Sequence, residues 1–398
     1  MAHGTPWNLA IAGLALLWAG AHPAVATIIS PDDVTLTPLG ELPDGNLTID
    51  TGNNGDGASL PTLAFGGGTL TGDIISQAGG PEIAVFLFDG GAIFDSGSSL
   101  TATGGSRPIA LLFNGSARIE GTINVSGGDG GDGVGGIPGN VIGTGANGTA
   151  GGGNGGTGGP FSSFQDGTGP GHGIAGSSSA SGSGVGSGSG AGFGSDGGNG
   201  GAGPTNREGG DAYGDPLRDL LQGGSGGGGG GGQCCVGQNF GGGGGGGAGG
   251  GAIEIGALSE LILAGAQIFA NGGDGGNTQE KGAGGGGSGG GILLHAFDIE
   301  VDVNSLIQAN GGEGGGCGGA GRVEAIANTA GSLSIAGTVE AVGFGACADL
   351  ALVTAQLDGI GTPPDTRSSS SVPEPGMLAI FALGLAGLRL ARGRRSIR

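Results

Sequence analysis

The sequence predicts an all-β fold, a right-handed parallel β-helix (β-solenoid) with long glycine-rich loops. Three observations predict it: short apolar segments recur as aligned units, each alternates apolar with polar or small residues, and glycine makes up 111 of the 398 residues. Alternation with a period of two is typical of a strand with one buried face. Mean hydropathy is +0.13 and only 11% of residues are charged, which excludes a disordered acidic chain.

The first element is an N-terminal signal peptide, residues 1–26. An apolar run from Leu9 to Gly20 predicts a short helix that cannot comfortably span a bilayer. Ala24 and Ala26 then form the small-x-small pattern that signal peptidase recognises. We expect cleavage after Ala26 and export of the mature chain.

The second element, residues 27–126, holds the N-terminal β-helix coils. One unit begins at Ile83 and the next at Ile109, and the two align almost residue for residue with a period of about 26. Repetition of this size indicates stacked coils, none of which can bury its apolar face alone. The glycines of the chain follow no strict three-residue period, which excludes collagen.

Residues 127–250 form a low-complexity insertion of Gly, Ser and Asn, and its last part, 223–250, is nearly polyglycine. The glycine-rich insertions follow the same point of each repeat, which predicts elaborated loops that leave one corner of the helix. Few side chains there can bury area to offset the cost of ordering the backbone. The sequence leaves two outcomes open, high mobility or close packing specific to glycine.

Residues 251–360 are the C-terminal coils, with units that begin at Gly251, Gly291 and Gly321. Each unit holds three short strands, separated by turns rich in Gly, Asn and Ser. Antiparallel hairpins are the alternative, but they need a short turn after each strand and would not produce this alignment between units. The parallel β-helix is therefore preferred.

The chain ends in a polar linker, residues 361–371, and a tail, residues 372–398. The tail carries a Pro-Glu-Pro motif, an apolar stretch and a basic cluster, in this order: Pro373, Glu374, Pro375, Gly376–Leu388, Arg392, Arg394 and Arg395. The pattern predicts a short hydrophobic helix that begins after the prolines and has a cytoplasmic basic anchor. An ordinary C-terminal membrane anchor would show the same helix.

This order of motif, apolar helix and arginine cluster resembles the PEP-CTERM sorting signal. The resemblance implies an exported protein of a Gram-negative bacterium, often encoded beside exopolysaccharide genes. It also implies a membrane protease of the exosortase type as a processing partner, which cuts near the Pro-Glu-Pro motif. The expected destination is the cell surface, the outer membrane or the extracellular matrix. The resemblance covers only the tail, so it implies a route rather than an activity.

Catalytic candidates are few. Asp298, Glu300 and Asp302 alternate along one predicted strand and share one of its faces. Such carboxylates could act as acid and base on a polysaccharide or bind Ca²⁺, although an exposed polar strand face is the preferred interpretation. A lyase for anionic sugar would need more basic residues than Lys281 and Arg322, which this region offers. His172 lies in a glycine-rich loop without an obvious base or nucleophile as partner, and we expect His295, which alternates with Leu294 and Ala296 on a strand, to face solvent.

Cofactors and nucleic acid are not expected. Residues 272–277 are similar to a calcium-binding nonapeptide, but Asn277 and Gln279 stand where that repeat needs an Asp and a large apolar residue. Calcium is the one candidate ion. The formal net charge of −21 repels nucleic acid and anionic lipid.

The four cysteines, Cys234, Cys235, Cys317 and Cys347, lie in glycine-rich turns without the paired spacing of a zinc site. An exported protein can form disulfides. Four cysteines allow three pairings, and a Cys317–Cys347 link between neighbouring repeats is the one we favour.

Three functions stay open at this point. The first is a non-enzymatic surface or matrix protein, a scaffold or adhesin-like element associated with exopolysaccharide. The second is a polysaccharide-active β-helix enzyme that uses the carboxylates of Asp298, Glu300 and Asp302. The third is a calcium-stabilised matrix protein.

Overall fold

The computed structural model is all-β over the residues that it describes. Those residues form twenty strands and one three-residue 3-10 helix, Pro31–Asp33. The predicted signal peptide, the linker and the sorting tail lie outside the described residues. The described residues are 28–55, 59–134, 141–159, 164–178, 185–201, 207–214, 217, 219–232, 241–278, 282–344 and 353–358.

Four strands at the N-terminal end precede the regular coils. They are β1 (Asn46–Asp50), β2 (Thr62–Phe65), β3 (Gly68–Thr71) and β4 (Asp73–Ile75). β1 pairs parallel with the first coil, but β2 and β3 continue the sheet in antiparallel fashion, and β4 pairs antiparallel with β5. The change of direction ends the parallel stack at this side, as the terminal repeat of a solenoid must.

Five coils follow, and each gives one strand to each of three sheets. The first two are β5 (Ile83–Asp89), β6 (Ala92–Phe94) and β7 (Ser99–Gly104), then β8 (Ile109–Asn114), β9 (Ala117–Ile119) and β10 (Thr122–Asn124). The third and fourth are β11 (Ala252–Ala257), β12 (Glu260–Leu263) and β13 (Gln267–Phe269), then β14 (Gly291–Ala296), β15 (Asp298–Val301) and β16 (Leu306–Gln308). The fifth is β17 (Arg322–Asn328), β18 (Leu333–Ile335) and β19 (Thr338–Glu340), after which β20 (Val353–Asp358) pairs with β17.

We name the sheets by their strands. Sheet B contains the first strand of each coil, with β4 and β20 at its two ends; sheet C contains the second strands; sheet A contains the third strands and β1 to β3. All pairings between successive coils are parallel, so the fold is solenoid-like, as the sequence predicts. The apolar interior collects side chains from all three sheets, and Phe88 and Phe113 stack there with ring centroids 5.6 Å apart.

The register between the first two coils differs by one residue from the sequence alignment. Ala84, not Ile83, lies opposite Ile109, and Phe88 lies opposite Phe113. The predicted alignment was therefore wrong by one position. The consequence is large because a shift of one residue moves every side chain of a strand to the other face. Ile83 in fact belongs to a second apolar cluster on the outer face of sheet B.

That outer face is covered by two other parts of the chain. Residues 28–40, here called the strap, cross it with Ile28, Ile29, Val34 and Leu36 packed inward. Leu39 N–H donates to Leu87 O at 2.8 Å and fixes the strap to β5. Phe193, Leu217 and Leu221 of the long insertion cover the remainder. The five coil strands of sheet B, β5, β8, β11, β14 and β17, are thus buried on both faces along most of their length.

The glycine-rich insertions form a close-packed bundle of extended threads, here called the glycine bundle. They leave the solenoid between a strand of sheet A and the next strand of sheet B, after β10, β13 and β16. The N–H groups of Gly226, Gly227 and Gly228 donate to three different threads, at Thr168 O, Gly247 O and Ser189 O. Gly229 N–H returns to the first thread, at Gln165 O. The direction in which the N–H groups point therefore repeats every three residues. The same repeat is found in the polyproline II helix, which has three residues per turn and no internal hydrogen bonds.

Glycine is required in this bundle by the spacing of the threads. A Cβ atom at Gly226 would collide with Asn154 O, and one at Gly227 would collide with Gly285 O. The interior thread 224–232 therefore has glycine at nearly every position, whereas the surface thread 152–159 has Gly-Gly-Asn followed by Gly-Gly-Thr, with Asn154 exposed. Of the two outcomes that the sequence left open, the described part of 127–250 adopts the close packing specific to glycine.

Candidate functional site

Two of the three predicted catalytic carboxylates connect neighbouring coils. Asp298 begins β15, and its Oδ1 accepts hydrogen bonds from Ser332 N at 2.6 Å and Ser332 Oγ at 2.8 Å. Asp302 lies just after the strand, where its Oδ1 accepts from Gly265 N at 2.9 Å and Ser305 Oγ at 2.8 Å. The Gly265 N–H above all, with the Ser305 hydroxyl, holds the pKa of the Asp302 carboxyl below its usual value.

The third carboxylate, Glu300, is exposed on the outer face of sheet C. Its neighbours in the adjacent strands are Ile262 and Ser334. An acid and base pair on this strand would draw on Asp298 or Asp302, whose Oδ1 atoms already accept hydrogen bonds from the next or the preceding coil.

The same kind of bond recurs at the root of the glycine bundle. Asp129 Oδ1 accepts from Asp274 N at 2.9 Å, and Asp274 Oδ1 accepts from Glu313 N at 2.7 Å. Three residues before Asp274 in the same segment, Asn271 makes an equivalent bond: its Oδ1 accepts from Asn310 N at 2.8 Å. The sequence signal is the acidic or amide residue that recurs in each Asn-Gly-Gly-Asp/Glu-Gly-Gly segment. These side chains join successive coils.

The prediction that His295 faces solvent was wrong. His295 lies on the outer face of sheet B and is only 2% exposed, because the insertion and the strap cover that face. Its ring occupies the space above Gly256, where a Cβ atom would collide with it. His295 Nε2 lies 2.9 Å from Oε1 of Glu254, whose side chain is fully buried.

Glu254 also holds the strap, a role that the sequence reasoning missed. Ile29 N–H donates to Glu254 Oε1 at 2.8 Å, across 225 residues of sequence. Glu324 and Asn328 are buried on the same sheet. The sequence contains a signal for this buried polar row. The first strand of three consecutive units carries an ionisable residue, Glu254, His295 or Glu324, although a sheet that is covered on both faces should carry apolar residues there.

The other predicted residues are dispersed. His172 is exposed, with Nδ1 2.8 Å from Gly169 O. Lys281 and Gln279 lie outside the described residues. Within the described ranges, His, Cys, Asp and Glu side chains form no group of three that could hold a metal ion. Cys317 is disulfide-bonded, whereas Cys234, Cys235 and Cys347 lie outside the described residues, so the pairing stays a prediction.

The two ends of the chain carry the remaining predicted sites, and both lie outside the described residues. In the part that the structure covers, helices long and apolar enough for a membrane span are absent. Residues 371–395 match the PEP-CTERM protein-sorting motif. The match includes Pro373, Glu374 and Pro375, together with Arg392, Arg394 and Arg395.

The PEP-CTERM match confirms the resemblance seen in the sequence. It implies export to the cell surface or the extracellular space and processing by exosortase. No curated protein and no solved structure matches the chain.

Proposed function

We propose that this is a non-enzymatic surface or extracellular-matrix protein, in which the solenoid and the glycine bundle form a rigid scaffold or adhesin-like element. One observation carries the proposal: the polar side chains that recur in the repeats are used as links between coils. Asp298, Asp302, Asp274 and Asn271 all accept backbone N–H groups of a neighbouring coil. Such bonds stabilise the stack, and we propose this linking role, rather than catalysis, as the reason that these groups recur.

We propose exopolysaccharide as the partner of this scaffold. The outer face of sheet A carries two rows of mostly neutral polar side chains. One row holds Ser99, Thr122, Gln267 and Thr338 and is interrupted by Leu306; the other holds Thr101, Asn124 and Gln308, is interrupted by Phe269 and ends at Glu340. Uncharged donors and acceptors predominate in both rows and suit the hydroxyl groups of a polymer. The coils are proposed to wind right-handed, the usual hand of parallel crossover connections.

The experiment is cell fractionation with a matched set of chains. The native protein, a chain that lacks residues 372–398, and the T101A/Q267A/T338A variant are expressed in a host that has an exosortase. We expect the native chain at the surface or in the matrix, the tail-deleted chain elsewhere, and the triple variant exported but more easily washed from the matrix. Equal distribution of all three chains would contradict the proposal.

A polysaccharide-active enzyme is tested by the D298N and E300Q variants. The scaffold proposal expects D298N to lower the melting temperature and E300Q to leave it unchanged. If purified native protein cleaves host exopolysaccharide and E300Q abolishes the cleavage, the enzyme is the correct function.

A calcium-stabilised matrix protein is the second candidate, because Asp129, Asp274 and Glu313 stand in one exposed row. Since these three carboxylates do not form a group that could hold one metal ion together, Ca²⁺ would act there by reducing the repulsion along the row. A melting temperature that rises with Ca²⁺ and falls with chelator would support it.

A further inference from the structure

Two apolar side chains, Phe269 and Leu306, lie on the outer face of sheet A. In the strands that stack in parallel, from β1 to β19, every other position of the two outer rows is polar. Both side chains are half-buried, and neither belongs to the apolar interior or to the cluster on sheet B. Packing of the described core therefore does not explain them, which favours contact with a partner.

The two apolar side chains alternate with two carboxamides. In the pairing of β13 with β16, Gln267 lies opposite Leu306, and Phe269 lies opposite Gln308. The apolar residues thus occupy one diagonal of a four-residue group, here called the amide–aromatic block, and the amides occupy the other. Neighbouring strands are roughly 4.8 Å apart and two residues along a strand span roughly 6.6 Å, so the block is small enough for one sugar ring to cover it.

The carboxamides beside Phe269 are held in place by the chain. Gln308 Nε2 donates to Glu340 Oε2 of the next coil at 2.7 Å. On the opposite side of Phe269, Asn124 of β10 accepts a hydrogen bond from Ser126 N through its Oδ1 at 2.9 Å. A carboxamide has two N–H donors and one carbonyl acceptor, so both side chains keep capacity for a ligand. Groups that are ordered before binding lose less conformational entropy when they bind.

We propose that the amide–aromatic block binds a neutral pyranose unit of a polysaccharide, with the C–H face of the sugar on Phe269 and its hydroxyl groups on the two carboxamides. This inference rests on the proposed function and names the residues and the class of sugar. A pyranose ring has apolar faces and a polar rim, which suits apolar side chains combined with a few polar groups that fix the orientation of the ligand.

The charges near the block select a neutral sugar. All four residues of the block are uncharged, whereas Glu340 lies beside Gln308 and the chain has a formal net charge of −21. An acidic sugar would therefore be repelled, and the block holds no cation to compensate for that repulsion.

The test measures binding of the purified, exported protein to host exopolysaccharide that an anion exchanger has separated into a neutral and an acidic fraction. Electrophoresis in native gels that contain each fraction gives the affinity. The variants are F269A, F269L, F269Y and Q267A/Q308A. The matched control is I93A, because Ile93 is an apolar side chain that is 52% exposed on sheet C.

We expect the native chain to bind the neutral fraction. F269A, F269L and Q267A/Q308A should each weaken this binding by about tenfold, corresponding to about 1.4 kcal/mol. F269Y should retain it because the flat ring is kept, and I93A should match the native chain. The melting temperatures of all variants should stay close to that of the native chain, because the side chains lie outside the core.

Equal affinity of F269A and the native chain for the neutral fraction would overturn the inference. Weaker binding by T101A/Q267A/T338A would in that case still support the proposed partner of sheet A. Binding to the acidic fraction alone would also overturn the inference. If F269A binds weakly but F269L and Q267A/Q308A bind normally, the block is an apolar contact and the sugar assignment is wrong. Absence of binding to both fractions would contradict exopolysaccharide as the partner, and the inference with it.

Discussion

At the residue scale, short polar side chains link the coils of this protein, because their oxygen atoms accept backbone hydrogen bonds from neighbouring coils. Asp298, Asp302 and Asp274 each accept a backbone N–H from a different stretch of chain. Hydrogen bonds to a charged acceptor are stronger than neutral ones. These hydrogen bonds supply part of the stability that large apolar side chains would otherwise give, since such side chains are scarce in a chain with so much glycine.

Asp302 makes this contribution dependent on pH. Its pKa in the folded protein is lowered, chiefly by the Gly265 N–H, relative to an unfolded value of about 3.9. The folded state therefore binds a proton less readily, and the stabilisation is present above the unfolded pKa and lost as the pH falls through the folded pKa. We expect D302N to be less stable than the native chain at pH 7, with the difference shrinking below pH 4. Urea midpoints measured at both pH values check this, with E300Q as the matched control.

At the element scale, the glycine threads pack so closely that most interior positions have no room for a side chain, and the buried exceptions include the small residues Ser225, Ala248 and Ser288. Gly246 N–H donates to Gly156 O at 2.7 Å, and Gly227 N–H donates to Gly247 O at 2.9 Å. Neighbouring threads, rather than backbone conformation, therefore require glycine at these interior positions. The φ angles there would suit other residues.

A substitution inside the bundle should be far more costly than one on its surface. In G227A the new methyl group would meet Gly285 O, so the thread must shift or break its bonds. We expect a loss of about 3 kcal/mol or more. T157A, at the outward position of a neighbouring thread, should change stability by less than about 0.5 kcal/mol. Thermal unfolding of the two variants provides the comparison, and equal melting temperatures would contradict the packing argument.

Tyr213 joins the bundle to sheet B. Its hydroxyl donates to Gly223 O at 2.8 Å and accepts from Ser225 Oγ at 2.9 Å, and its ring packs on Phe193. Burial, partly opposed by Ser225 and Arg322, raises the pKa of Tyr213. It is the only tyrosine of the chain, so its ionisation can be followed by absorbance without interference.

We expect the absorbance titration of Tyr213 to show no ionisation of the folded protein near pH 10, the unfolded value. Because the folded pKa is raised, the stabilisation is complete below pH 10 and is lost as the pH rises above it. Y213F should therefore lose less stability between pH 9 and pH 11 than the native chain. A normal titration at pH 10 in folded protein would show that the ring is not buried.

At the scale of the whole molecule, a parallel stack is stable only when its ends are closed. Arg107 is fully buried at the N-terminal end, where its guanidinium bonds Glu82 at 2.9 Å, Thr51 O at 3.1 Å and Ser59 O at 2.9 Å. These contacts fix the two ends of the loop between β1 and β2, from which the antiparallel strands β2 and β3, the cap of the stack, continue. The cap thereby shields a sheet edge that would otherwise pair with another chain.

Removal of this arginine should open the cap. We expect R107M to lose about 3 kcal/mol, because it removes the buried guanidinium that bonds Glu82 and two carbonyl groups. The uncovered edge should then favour association, visible as dimers and larger species in sedimentation velocity. R118M is the control, since Arg118 contacts Glu120 on the surface; an equally monomeric R107M would argue against a capping role.

The periodicity of the sequence was sufficient to predict the repeated coils, but not to predict that the strap and the long insertion cover the outer face of sheet B. The parallel coils follow from apolar alternation in aligned units, which depends only on local chemistry. The register between the first two coils was missed by one residue, because Ile83 and Ala84 are both apolar and sheet B is buried on both faces. The burial of His295 was missed for the same reason, as the strap that covers it lies more than 250 residues away in sequence.

The sequence by itself determined the export route and the solenoid, because a sorting motif and an apolar period are both read from neighbouring residues. The tertiary structure alone decided that the glycine segments pack as ordered threads. Their hydrogen bonds join segments that are far apart in the chain. Glycine has no side chain whose pattern could indicate which segment it contacts. It also decided that Asp298 and Asp302 act as links and that Glu254 receives the strap, since these roles depend on which distant N–H each carboxylate meets.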